Sequence, residues 1–217
     1  MPLLAVNGIE VAYGPIMAIR GASFDVAEAE VVSITGDGGS GKTTLLAAIS
    51  GLVPPRAGEV IYRRRSIVGL APHAIVRQGI GHCPQSRRLF SRMTVRENLE
   101  LGGYTQRDRW QLRRDIAEAC ELFPILGGRM SQAATALSVA EQQMLAVARA
   151  LVGRPRLLLL DEPSTGMPPP VARQLFDVIG LLTARGIAAV VVEQAGRVGM
   201  VGAARRWLME EGQLRLS

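Results

Sequence analysis

The chain has 217 residues, 48% of them apolar, and a net charge of +6 at pH 7, a size that suits one domain, or one domain carrying a smaller subdomain, around a large core. No apolar stretch reaches the roughly 18 to 20 residues needed to cross a bilayer, and Met1–Gly8 lacks the basic segment, apolar core and cleavage site of an export signal. Cys83 and Cys120 have no neighbouring ligands for zinc and are expected as reduced packing residues, while Arg63, Arg64 and Arg65 are expected in a solvated turn, with no nucleic-acid partner.

In chain order, apolar and polar residues alternate from Leu3 to Tyr13, and a second run extends from Ala18 to Val26 after Gly14 and Pro15. This predicts two antiparallel strands. Val31 to Thr35 predicts a short buried strand, followed at once by the glycine-rich Gly36 to Gly41 and a helix over Thr43 to Ser50, closed at Gly51. From Gln111 to Phe123, the residues Leu112, Ile116, Cys120 and Phe123 recur at helical spacing with charged residues opposite, predicting a helix that buries one stripe. Another helix begins at Ser138, where Glu141 completes a capping box, and Pro155 ends the segment. Leu157 to Leu160 reads as a strand buried on both faces. Pro168 to Pro170 open a helix that Gly186 stops, Ile187 to Val192 forms a further strand, and Trp207 to Leu216 is strand-like. Strands alternating with helices predict an α/β fold with a mostly parallel sheet and right-handed crossovers.

Two motifs carry chemistry. Gly36-Asp37-Gly38-Gly39-Ser40-Gly41-Lys42-Thr43 fits G-x-x-x-x-G-K-[ST] in the strand-to-helix setting that the pattern requires. Glycines let successive N–H groups turn inward around phosphate oxygens, and the helix adds its positive N-terminal end. In this reading Lys42 reaches the β- and γ-phosphates, the Thr43 hydroxyl holds Mg²⁺, and Thr44 bonds the α-phosphate. Asp161 and Glu162 follow the Leu157–Leu160 strand, at the edge where parallel sheets present ligands. Asp161 suits the metal, and Glu162 suits an attacking water, as its general base or its orienter.

A third stretch, Leu137-Ser138-Val139-Ala140-Glu141-Gln142-Gln143, resembles the L-S-G-G-Q/E signature of ABC ATPases. The resemblance runs the length of the chain. It implies a P-loop NTPase core with an N-terminal antiparallel β subdomain over 1–84 and 154–217, and a helical subdomain over about 85–153. It also implies ATP and Mg²⁺ as cofactors and ATP hydrolysis as the activity. Tyr13 matches the aromatic that stacks on adenine, Gln85 the glutamine that senses the γ-phosphate and metal and touches the membrane subunit, Ser138 the signature serine, and Ser164 to Pro168 the loop that crosses a dimer interface. Within the family the chain looks most like the ATP-binding subunit of branched-chain amino-acid importers, through Arg87 to Phe90, Met93 to Leu99, Glu141 to Ala146 and Val192-Glu193-Gln194. Urea and short-amide importers come next. The partners implied are membrane-spanning permease subunits and a second ATP-binding subunit, identical or different, at the cytoplasmic face of the membrane. A nucleotide-dependent regulatory protein with weak hydrolysis is the alternative of another class.

Three departures stand out. Val139 and Ala140 replace two signature glycines, and are expected to crowd a facing nucleotide and strain the loop. Gln194 stands where most of the family carries a switch histidine; its amide bonds a γ-phosphate but cannot shuttle a proton. The chain stops at Ser217 without the helical tail usual in such subunits. His73 and His82 are read as structural or surface residues.

Overall fold

A computed structural model of the chain describes residues 1–196 and 202–217. The hairpin β1 (Leu4–Tyr13) and β2 (Ile16–Val26) comes first, and β3 (Val31–Gly36) leads through the glycine loop into α1 (Lys42–Ile49). Next come β4 (Ala57–Tyr62), β5 (Arg65–Ser66), α2 (Pro72–Arg77) and β6 (Ile80–Cys83). A helical stretch follows, with α3 (Val95–Gly102), α4 (Arg109–Leu122), α5 (Pro124–Gly127) and α6 (Val139–Val152). The chain returns through β7 (Leu157–Asp161), α7 (Pro169–Ala184), β8 (Ala188–Gln194), β9 (Arg205–Glu210) and β10 (Gln213–Leu216).

Among the described residues these strands form two sheets, one antiparallel in the order β2-β1-β4-β5 and one in the order β10-β9-β3-β8-β7-β6. In the second sheet β9, β3, β8, β7 and β6 run parallel and only β10 is antiparallel. Leucine fills β7 on both sides because both sides are covered. Leu157 and Leu159 pack with the antiparallel sheet and α1, whereas Leu158 and Leu160 pack with residues of α3, α4, α6 and α7. All four are fully buried, each contributing about 2 kcal/mol of apolar burial.

Local signals set the helix starts. Ser138 caps α6 and exchanges hydrogen bonds with Glu141 as a capping box. Thr94 and Glu97 form a second one at α3, with the same three-residue spacing. Arg63 and Arg64, both left-handed, make the turn between β4 and β5 and are exposed. The strand-like stretch Trp207 to Leu216 is a hairpin: Glu211 and Gly212 turn the chain with φ of 47° and 82°, a pair of positive values that matches the twist of the flanking strands. The two sheets are tied together by Arg205, whose guanidinium meets Glu30 at 2.7 Å and Asp25 at 2.9 Å. No helix among the described residues is long and apolar enough to cross a membrane.

Candidate active site

Between β3 and α1 the backbone of Gly36 to Gly41 folds into a tight loop. Gly41 takes φ 110° as the residue before α1, a conformation closed to residues with a side chain, and a Cβ there would also lie 2.6 Å from the Ala18 carbonyl oxygen. A Cβ on Gly36 would overlap the backbone carbonyl of Met209. The loop is thus wedged between β2 and the β9–β10 hairpin, whose Gly212 N–H donates to the Ser40 carbonyl at 2.9 Å. An adjoining cavity of about 660 Å³ is lined by Gly36 to Ser40, Ala195 and hairpin residues.

Lys42 is buried, and its ammonium donates to the carbonyls of Gly36 (2.8 Å) and Asp37 (2.7 Å) and to Ser40 Oγ (3.4 Å). All three acceptors belong to the loop, so the cation sits inside the cradle. Thr43 Oγ1 donates to Asp161 Oδ1 at 3.2 Å, joining the loop's end to the end of β7. Asp161 is fully buried, and that burial raises its carboxyl pKa; the Thr43 hydroxyl opposes the rise, the neighbouring Glu162 adds to it, and the Gln85 backbone N–H opposes it again. The second carboxylate oxygen, Oδ2, is a buried acceptor with no hydrogen-bond donor among the described residues. Together with the Thr43 hydroxyl this is a hard oxygen donor set, and it fits Mg²⁺.

Glu162 takes a left-handed φ of 45° and donates its N–H to the Val192 carbonyl on β8 at 2.9 Å. Its Oε2 accepts from the Gln85 side-chain amide at 2.8 Å and from Thr165 Oγ1 at 3.1 Å. One residue before Thr165, the Ser164 N–H donates to Glu193 Oε1 at 2.8 Å. Gln194 lies in register with Gly36 on the adjacent strand, at the mouth of the loop.

The structure therefore brings Gly36 to Thr44, Asp161, Glu162, Gln85 and Gln194 to one edge of the sheet. Tyr13 stands at the turn end of the β1–β2 hairpin, paired with Ile16 and half exposed, with β2 touching the loop through Ala18. Ser138 lies elsewhere: it lines a groove of about 380 Å³ with α4, α5 and α7, apart from the loop's cavity. Val139 and Ala140 do not strain this stretch as expected. They form the first turn of α6 with no left-handed backbone, a conformation open to any residue, and Val139 is 43% exposed. Thr165, three residues past Glu162 and within the Ser164 to Pro168 stretch, has a contact to Glu162 that no motif signals, and the packing of the Trp207 to Leu216 strands behind the loop is set by contacts distant in sequence. His73 is exposed, and His82 meets Ser50 Oγ at 3.1 Å away from these groups.

Residues 19–165 match the model of the ABC transporter family. The chain is 39% identical to the high-affinity branched-chain amino acid transport ATP-binding protein BraG of Pseudomonas aeruginosa, over 98% of this chain and 91% of that protein. It is 36% identical to the probable branched-chain amino acid transport ATP-binding protein LivF of Archaeoglobus fulgidus, over 78% of this chain and 72% of that one. The dimeric structure of MJ0796, a bacterial ABC transporter cassette, is similar with a TM-score of 0.89 at 25% identity, covering 99% of this chain and 97% of that chain. A post-hydrolysis state of MJ0796 bound to ADP and Pi gives the same TM-score.

Proposed function

Because this chain belongs to the ABC transporter family of ATP-binding domains, we propose that it is the ATP-hydrolysing subunit of an importer for branched-chain or related amino acids. The observation that carries the reading is the meeting of phosphate loop and acidic pair through Thr43 and Asp161, with Gln85 on Glu162 beside them. The similarity to BraG over nearly the whole chain supports the amino-acid class. A urea importer or a regulatory protein is not favoured.

Each residue has a part in this reading. Lys42 exchanges its loop acceptors for β- and γ-phosphate oxygens, which are stronger acceptors for the same ammonium. Thr43 and Asp161 hold Mg²⁺, which when bound neutralises charge on the β- and γ-phosphates. Glu162 orients the attacking water and takes its proton as the water oxygen bonds to the γ-phosphorus. The bond from that phosphorus to the β–γ bridging oxygen breaks, leaving ADP and inorganic phosphate. Gln85 and Thr165 aim the carboxylate, Gln194 donates to the γ-phosphate, Thr44 bonds the α-phosphate, and Tyr13 stacks on adenine. Ser138, on the helical subdomain of residues 85–153, reaches the nucleotide of a second ATP-binding subunit. The pair works at the cytoplasmic face of the membrane, against permease subunits received by the groove around Arg88 and Phe90.

The test is uptake of labelled leucine into vesicles carrying the assembled complex, measured together with phosphate release. ATP-dependent accumulation is expected. Absence of both phosphate release and uptake in a complete, folded complex overturns the reading.

A further inference from the structure

Near the C-terminal end of α6, the Arg149 guanidinium donates to two successive backbone carbonyls, Nη1 to Arg88 at 2.8 Å and Nη2 to Arg87 at 3.0 Å. Those two residues are left-handed, with φ of 59° at Arg87 and 43° at Arg88. Such a pair is strained in residues with side chains and persists only where the surroundings hold it. Arg149 also lies 5.8 Å from the centre of the Phe90 ring, and it enters no ion pair among the described residues, so its fork is spent on the two carbonyls. A second grip comes from the same helix: Arg87 Nη1 donates to Gln142 Oε1 at 3.5 Å, and the Gln142 amide donates to the carbonyls of Ala134 and Leu137. Two residues before the gripped pair stands Gln85, with its amide on Glu162.

We propose that Arg149 is a positioning residue for hydrolysis, holding Arg87 and Arg88 in their left-handed turn and thereby setting where Gln85 meets Glu162. The inference rests on the role given to Glu162 above. Arg88, Phe90 and Arg149 also line the groove of about 570 Å³, so a group that fills the groove touches the clamp itself.

The experiment is a double-mutant cycle on ATP hydrolysis by the assembled transporter, using Arg149→Lys, Gln85→Ala and the pair. Lysine keeps the charge and the stem, but one ammonium cannot reproduce the planar fork on two carbonyls. Arg149→Lys should lower kcat roughly 10- to 100-fold, the scale of a small misplacement of a reacting group. KM for ATP should stay within about twofold, because the phosphate loop is untouched. The pair should be no slower than Gln85→Ala alone, since both changes remove one arrangement. Arg88→Gly, which accepts a left-handed backbone without strain, should restore most of the lost kcat in the Arg149→Lys background. Wild-type kcat in Arg149→Lys, multiplied losses in the pair, or a KM that rises as kcat falls would each overturn the proposal. So would an Arg149→Lys chain that stays unfolded with Arg88→Gly, because the role would then lie in the fold. If the wild-type complex releases no phosphate, the reading of the site and this inference fall together; multiplied losses with an active wild type sink the inference alone.

Discussion

The Gln85 side-chain amide donates to Glu162 at 2.8 Å although the two residues are 77 positions apart, so the carboxylate is held by a loop that leads directly into the groove. Glu162→Gln replaces an acceptor oxygen with an amide and removes the group that accepts the water's proton. ATP hydrolysis should fall by about 10² or more, with the dissociation constant for ATP nearly unchanged. Lys42→Ala should do the reverse first, raising that constant about tenfold or more through loss of a charge-assisted contact. Phosphate release and titration with a fluorescent nucleotide separate the two. A Glu162→Gln enzyme as fast as wild type would remove Glu162 from the reaction.

Gly212 links the β9–β10 turn to the phosphate loop, its N–H on Ser40 and its carbonyl accepting the Arg20 N–H at 2.8 Å. At φ 82°, with an added Cβ placed 2.7 Å from the Ala18 oxygen, Gly212→Ala meets both strain and overlap. A loss of about 1 to 3 kcal/mol is expected, which is roughly 2 to 4 °C of melting temperature per kcal/mol. ATP affinity should weaken along with it because the turn backs the loop. Thermal melts with and without ATP check this, and an unchanged melting temperature would show that the turn relaxes at no cost.

The Arg205 side chain holds the carboxyls of Asp25 and Glu30 below their ordinary values through direct hydrogen bonds, with burial working against it. Folded-state values below the unfolded ones mean that this stabilisation is present at neutral pH and is lost as the pH falls below about 4, through the depressed values. Discounted for solvent screening, the cluster is worth about 1 kcal/mol. Arg205→Leu should therefore lower the urea midpoint at pH 7 and have a smaller effect at pH 3, shrinking further as the pH falls. Equal losses at both pH values would assign the effect to packing.

Val139→Gly with Ala140→Gly should move stability and activity in opposite directions. The two positions begin a regular helix, so glycine there costs up to about 1 kcal/mol each. Removing two Cβ atoms lets the helix end approach a facing nucleotide, and recovery of one well-aimed donor is worth about 10² in rate. Melting curves and ATPase rates of the complex, and of the chain alone, provide the check; a homodimer, with both sites altered, should gain more. Unchanged rates in both would show that the altered signature is harmless.

Some of this molecule is written in short stretches of sequence. The cradle from Gly36 to Thr43 needs glycine at fixed offsets before a lysine and a hydroxyl, and the Ser138–Glu141 cap needs two side chains one helical turn apart. Such requirements are local, set by backbone dihedrals and side-chain reach, and a pattern reader finds them; Thr94 and Glu97 were equally legible. The expected strain at Val139 is absent for an equally local reason: a cap at Ser138 makes Val139 the first helical residue, and helical backbone accepts a side chain that a glycine-type loop would not. Tertiary structure alone put Thr43 on Asp161, 118 residues away, folded the last strands back behind the loop at Gly212, and set Arg149 on the carbonyls of Arg87 and Arg88. These contacts follow from strand order: β3 lies beside β8, β8 beside β7, and β7 beside β6, so loops distant in sequence leave the sheet at one edge. Neighbours in a parallel sheet are chosen by packing both faces of every strand at once, a condition on the whole chain that no single stretch carries.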